Sequence, residues 1–374
     1  MFGSLRRLGL RNIAVSLILT VLGGAGLIHF VGLAAMADAL HLTSRIRSVN
    51  LQDGQVIQRS TTGTARVLVK GTMGIRARRV EAGILGAGAE HLTADGWGLL
   101  DGKPRFGSFQ GFVDLKSGWN HLFLRSVGDG KRLFIPLHVA VGEVFLVAGQ
   151  SNASGGAVTL FVADTDVRIG QVDSSGTIAW RAGDDPQVPG GGGSVWPEVG
   201  RRLQERLSVP VAFVNVAVGG SSLADWKPGD ENFLRLVNVI VALQPQYARA
   251  ILWHQGESDG ENSEAFYYRN LKGLIAAVSN RTGGMRLRWM IATASYDGHR
   301  THHQIRVAQQ KLCADGLALP GPDTDVIGPD GRESAGVHFN YKGTLAAAAL
   351  WYDSIARNLF ELAPPVAEAR ESRH

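Results

Sequence analysis

From Val141 onward the chain alternates between apolar runs of strand length and longer amphipathic stretches, and few folds accommodate that pattern. The runs fall at 144–148, 211–216, 250–253, 288–292 and 325–327. Amphipathic segments lie near 196–207, 233–243, 264–280, 303–315 and 341–359. Strands that read as continuous apolar blocks are buried on both faces, which calls for a parallel sheet covered by helices on each side. Ligands of such sheets bind beyond the carboxyl ends of the strands, so chemistry-bearing residues are sought just after each run.

The segment before it reads differently. Between 41 and 140, short runs at 65–70, 109–115, 121–126 and 133–139 alternate or stay apolar. Asp-Gly, Ser-Gly and Gly-Asp-Gly turn signals separate them. Nothing there sustains a helical period, and an antiparallel β-sandwich is expected. The expected organisation is therefore a membrane-directed segment over 1–40, a sandwich over 41–140, an α/β domain over 141–362 and a polar tail over 363–374.

The first segment has no charge from 12 to 37, enough to cross a hydrocarbon core of about 30 Å at roughly 1.5 Å per residue. Arg6, Arg7 and Arg11 flank it on the amino side. That predicts a transmembrane helix with the bulk of the chain outside the cytoplasm, in a bacterium on the periplasmic face of the inner membrane. A cleaved signal peptide is the competing reading, since Ala35-Met36-Ala37 fits a small-x-small site, but the apolar run exceeds the roughly 7–15 residues of a signal core.

Charge and cysteine exclude other classes. The net charge of +5 falls to +3 outside residues 1–40, because three arginines against Asp38 account for +2. With no Lys/Arg run interleaved with aromatics, a nucleic-acid partner is not expected. A single cysteine, Cys313, rules out an intramolecular disulfide and any Cys-based zinc site. His299, His302 and His303 lack an evident carboxylate or Cys partner, so no metal is expected. The glycines at 190–193 are not followed by the Lys-Ser/Thr of a phosphate loop and read as a flexible connection.

The residues after the strands are the informative ones. The first strand ends in Gly149-Gln150-Ser151-Asn152, a tight turn that can expose a serine hydroxyl beside free backbone N–H groups. The second ends in Gly219-Gly220-Ser221-Ser222, where glycine lets backbone N–H approach a ligand. The third ends in Trp253-His254-Gln255-Gly256-Glu257-Ser258-Asp259, offering an amide and a carboxylate. Gly336-Val337-His338-Phe339-Asn340 precedes the last amphipathic segment, and its histidine suits a general base. Each block alone reads equally well as an ordinary polar turn; their order along one sheet edge is what carries weight.

The ordered set resembles the SGNH/GDSL hydrolase superfamily, and within it the sialate O-acetylesterase-like carbohydrate esterases. The matching blocks are G-Q-S-N at 149–152, G-G-x-S at 219–222, W-x-Q-G-E at 253–257 and G-x-H-F at 336–339. Lesser matches are Ser194-Val195-Trp196-Pro197, Arg306 with Ala308-Gln309, and Gly321-Pro322-Asp323-Thr324-Asp325. The resemblance implies an SGNH-type three-layer α/β/α fold that removes O-acetyl groups from carbohydrate through an acetyl-enzyme. It implies Ser151 as nucleophile, His338 as its base, and an oxyanion hole of the Ser151 and Gly220 N–H groups with the Gln255 side chain. Trp196, Asn152 and His254 are taken as substrate-binding. No cofactor is implied.

One position departs from the pattern. Relatives often carry an aspartate three residues before the histidine, and this chain has Ala335. Glu257 then becomes the expected acid of the triad, with Asp330 and Glu333 as rivals. An O-acetyltransferase of the same fold acting on an envelope polysaccharide, or a non-catalytic carbohydrate-binding scaffold, are the alternative functions.

Overall fold

A computed structural model describes residues 43–361, apart from 86–91, 93–95, 129–130, 174–175, 189–190, 245–246, 286 and 335. The expected membrane segment at 1–40 and the tail at 363–374 lie outside the described residues. Among those described, no helix is long and apolar enough to cross a membrane.

The chain forms two compact units. The first eight strands are β1 (Ile46–Val49), β2 (Val56–Gln58), β3 (Thr64–Met73), β4 (Arg79–Leu85), β5 (Trp97–Asp101), β6 (Ser108–Lys116), β7 (Gly118–Gly128) and β8 (Lys131–Gly149). One unit takes 43–50, 68–113 and 122–136 of the described residues. In it β1 runs antiparallel to β3, Ile46 opposite Met73, and β4 antiparallel to β5. Alternate residues such as Val69, Val80, Ala82, Phe109 and Val113 are buried, as the two-residue period of a strand requires. The contacts do not divide at 140. Segments 51–67 and 114–121 belong to the second unit, where β2 runs parallel to β8 with Val56 opposite Ala140.

The second unit carries the remaining strands: β9 (Val167–Val172), β10 (Ile178–Ala182), β11 (Val211–Asn215), β12 (Ala250–His254), β13 (Trp289–Thr293) and β14 (Leu319–Asp323). Its helices are α1 (Ser151–Ser154), α2 (Trp196–Leu207), α3 (Glu231–Ala242), α4 (Glu264–Arg281), α5 (His303–Ala314) and α6 (Tyr341–Phe360). The strand order is β10-β9-β11-β8-β12-β13-β14. Every neighbouring pair is parallel except the β9–β10 hairpin at the edge.

The sheet is dry on both sides. Along β8, Val144, Leu146 and Ala148 pack with residues of α3, α4 and α5, whereas Phe145 and Val147 pack with α2 and α6. That is the three-layer arrangement expected from the apolar blocks. Each fully buried Val, Leu or Phe contributes roughly 1.5–3 kcal/mol, so burial holds the layers together.

One expected strand is displaced. The run at 325–327 lies in a turn, and the last strand is the sequence Leu-Pro-Gly-Pro-Asp at 319–323. Two prolines and a glycine look like a turn. They are tolerated because, among the described residues, β14 ends the strand order and pairs only with β13, so missing N–H donors on its outer side cost nothing.

Candidate active site

The serine is set by a turn only glycine can make. Gly149 closes β8 at φ +130°, and a Cβ there would lie 2.0 Å from the His254 carbonyl oxygen. The Gln150 N–H donates to that same carbonyl at 2.9 Å. The Gln150 side-chain oxygen accepts from the Gly256 and Ser258 N–H groups, each at 3.2 Å, tying the β8 turn to the loop after β12. Ser151 then opens α1, and its Oγ has no hydrogen-bond partner among the described residues. As a first-turn residue it also has no intrahelical acceptor for its N–H.

Backbone donors stand beside it. Gly219 follows β11 so closely that a Cβ on it would be 3.9 Å from the Ser151 Cβ. Gly220 adopts φ +73° and is exposed, and its N–H has no partner among the described residues.

The histidine arrives on a loop folded against this turn. Its ring packs on Gly156, where an added Cβ would come 2.9 Å from the His338 Nε2. Asn152, the residue after the serine, donates its side-chain N–H to the Val337 carbonyl at 3.2 Å. The loop is closed by the Glu333 N–H donating to the His338 carbonyl at 2.8 Å. It ends where the Asn340 side chain caps α6 by accepting from the Gly343 N–H at 3.0 Å. Ser151, His338 and Gly220 thus gather at one edge of the sheet, although no hydrogen bond joins Ser151 to His338 among the described residues.

Other expected site residues turn inward. Gln255 is fully buried, and its amide donates to Asp259, to the Gln150 oxygen and to the Ser221 carbonyl, while its own oxygen accepts from the Tyr267 hydroxyl at 3.0 Å. Its two N–H groups are thus shared among three protein acceptors, where the resemblance implies an oxyanion donor. The three residues expected to bind substrate are likewise buried. Trp196 has no exposed surface and donates its indole N–H to the Ala153 carbonyl at 2.7 Å. His254 is equally enclosed, with Nε2 at 3.2 Å from the Thr324 hydroxyl, and burial pushes its pKa below the ordinary histidine value. Asn152 is buried too, and its side-chain amide is divided between Glu257 and Val337.

Glu257 lies in this interior. Its Oε1 accepts from Asn152 at 2.9 Å and sits 3.6 Å from His254 Nε2, while its Oε2 is buried without a partner. No carboxylate hydrogen-bonds the His338 ring among the described residues: Asp330 is exposed and Glu333 half-buried, and neither side chain reaches it. Nor does any group of three or more His, Cys, Asp or Glu among the described residues form a metal site. His302 instead pairs with Asp297 at 2.8 Å.

The glycines at 192 and 193 are fitted rather than flexible. Their N–H groups donate to Gly155 and Ala157, and a Cβ on Gly193 would fall 1.6 Å from the Thr159 carbonyl oxygen. They brace the strap that follows Gly156. Asp185 secures the same strap by accepting from the Phe161 N–H at 3.0 Å and the Ser194 hydroxyl at 2.6 Å; burial pushes its carboxyl above the usual range. Sequence reading missed Asp185, and also Arg332, which lies under the histidine loop. Both sit in Gly- and Pro-rich stretches with no periodicity to mark them.

Comparison with known proteins supplies the remaining observations. The family model described as carbohydrate esterase, sialic acid-specific acetylesterase, matches residues 141–347. A carbohydrate acetylesterase from Xanthomonas citri is similar in structure with a TM-score of 0.59 at 18% identity, over 86% of this chain and 76% of that one. At that identity the likeness shows a shared fold. A protein from Arabidopsis thaliana matches over 58% of this chain and 98% of its own, at 18% identity and a TM-score of 0.49. A variant of an acetyl xylan esterase from Geobacillus stearothermophilus matches over 57% and 94%, at 16% identity and a TM-score of 0.39. A search of curated proteins gave no match.

Proposed function

The chain belongs to the carbohydrate esterase family of sialic acid-specific acetylesterases, and from that premise we propose that it is a serine esterase removing O-acetyl groups from carbohydrate through Ser151 and His338. The observation that carries this reading is the meeting of three things at the end of the central strand. They are a serine with an uncommitted hydroxyl, a histidine ring packed on the turn that follows it, and the glycine backbone at 219–220.

The reaction follows from those positions. Ser151 Oγ attacks the acetyl carbonyl carbon while His338 takes its proton. The tetrahedral oxyanion is held by the Ser151 and Gly220 N–H groups, two fixed dipoles that need no reorganisation as charge develops. Collapse breaks the bond to the sugar oxygen, which receives the proton from His338. Water, deprotonated by the same histidine, then releases acetate. Glu257 is the carboxylate assigned to stabilise the imidazolium; its support is that it follows β12 and that its Oε1 accepts from Asn152, whose amide also donates to the Val337 carbonyl beside His338. The uncharged segment at 12–37 is assigned as a membrane anchor that holds the hydrolase outside the cytoplasm.

Turnover of a chromogenic acetate ester tests the reading. Ser151→Ala is expected to lower it by about 10⁴–10⁶ while the protein stays folded. Near wild-type turnover in the folded variant overturns the esterase assignment.

A further inference from the structure

Among the described residues no carboxylate hydrogen-bonds Arg332. Its Nε donates to the Ile327 carbonyl at 3.0 Å, one Nη to the Thr324 carbonyl at 3.2 Å, and the other to the Val337 carbonyl. The guanidinium lies 4.5 Å from the Tyr296 ring centre and 4.9 Å from that of Phe339, and the residue is only 6% exposed. Burying a cation against three neutral acceptors is unfavourable unless the placement of those acceptors matters.

Two of the carbonyls belong to the turn after β14; the third belongs to the peptide that precedes His338. That third carbonyl also accepts from Asn152 at 3.2 Å, and Asn152 follows Ser151. The peptide before the base is therefore held by two donors, one rooted in the serine turn and one under the sheet edge. We propose that Arg332 is a positioning residue for His338, fixing the base through its backbone where relatives often carry an aspartate and this chain has Ala335. Glu257 and Asp325 are the carboxylates facing the guanidinium, and Tyr296 the phenol. Between them they keep the buried cation in place without taking its donors from the carbonyls.

This inference rests on His338 being the base, and the experiment separates the two. Turnover of a chromogenic acetate and labelling by an active-site serine probe are measured for wild type, Arg332→Met, Arg332→Lys and His338→Ala. In Arg332→Met, kcat is expected to fall about 10²-fold, the scale of a misplacement near 1 Å. KM should stay within about threefold, since no substrate contact is removed. The probe should still label every molecule, more slowly. Lysine, which keeps the charge and can reach some of the carbonyls, is expected to recover part of the loss.

A wild-type kcat in Arg332→Met overturns the inference, as does a loss fully explained by a smaller labelled fraction, which is what a merely structural role gives. Should the methionine variant not fold, a wild-type kcat in Arg332→Lys overturns it equally. If His338→Ala keeps wild-type turnover, the base assignment itself falls and takes the inference with it.

Discussion

Gln255 separates two kinds of importance at the residue scale. Its amide is the hydrogen-bonding partner of Asp259, whose carboxyl is already pushed up by burial, and of the buried Tyr267 hydroxyl. Gln255→Ala is therefore expected to cost about 1–3 kcal/mol of stability, the range for leaving a buried polar group unsatisfied. A denaturant midpoint checks it, and an unchanged midpoint with lowered turnover would return Gln255 to the oxyanion. Glu257 is expected to behave otherwise. Glu257→Gln keeps an acceptor for Asn152 but removes the charge, so turnover should fall by orders of magnitude with folding intact. Asp330→Asn and Glu333→Gln should stay nearly active, and Ala335→Asp should partly restore Glu257→Gln. If Asp330→Asn or Glu333→Gln proves the damaging change in the same assay, the acid is misassigned.

Elements differ in how far their residues announce them. α2 spans the expected 196–207, and α4, α5 and α6 fall within a residue of expectation at each end, because an amphipathic period survives any tertiary context. The β14 strand was hidden by Pro320 and Pro322, whose meaning depends on being at a sheet edge. Three of the four motif blocks fell where strands end and the fourth on the loop before α6, yet the direction of each side chain there was not legible. His254 and Gln255 lie at the catalytic edge in sequence, but the pleat and the packing of Thr324 and Tyr267 turn them inward. The fitted glycines give an element-scale prediction. Gly193→Ala must displace the strap at Thr159, and a loss of roughly 1–3 kcal/mol is expected in thermal or denaturant unfolding. Wild-type stability would mean that the strap is free to move.

For the whole molecule, acidity is the natural stress. His254 is enclosed and its pKa is lowered by burial, and His138 is lowered by burial and by the neighbouring His121. Such groups bind protons more readily once unfolded. Their contribution to stability is present above the unfolded value of about 6.5 and is lost as pH falls through the lower folded one. The unfolding midpoint should therefore drop between about pH 7 and pH 5, and the drop should shrink in His254→Gln; an identical slope in that variant removes His254 from the account. The anchor assignment is tested by fractionation. The full chain expressed in a bacterium should stay with membranes through carbonate extraction and be open to protease from outside the cytoplasm. A soluble mature protein beginning near Asp38 would show a signal peptide instead.

The contact between Asn152 and the Val337 carbonyl joins residues 185 apart in the chain. Closing so long a loop waits on nearly everything between, and folds built on distant contacts form slowly. A growing polypeptide thus exposes its serine early and gains the proposed base only after some 185 further residues, when α6 has docked. Until then the serine is inert. On the export route proposed above, a chain threaded unfolded through a membrane pore would make that journey without esterase activity, and the site would assemble only where α6 folds.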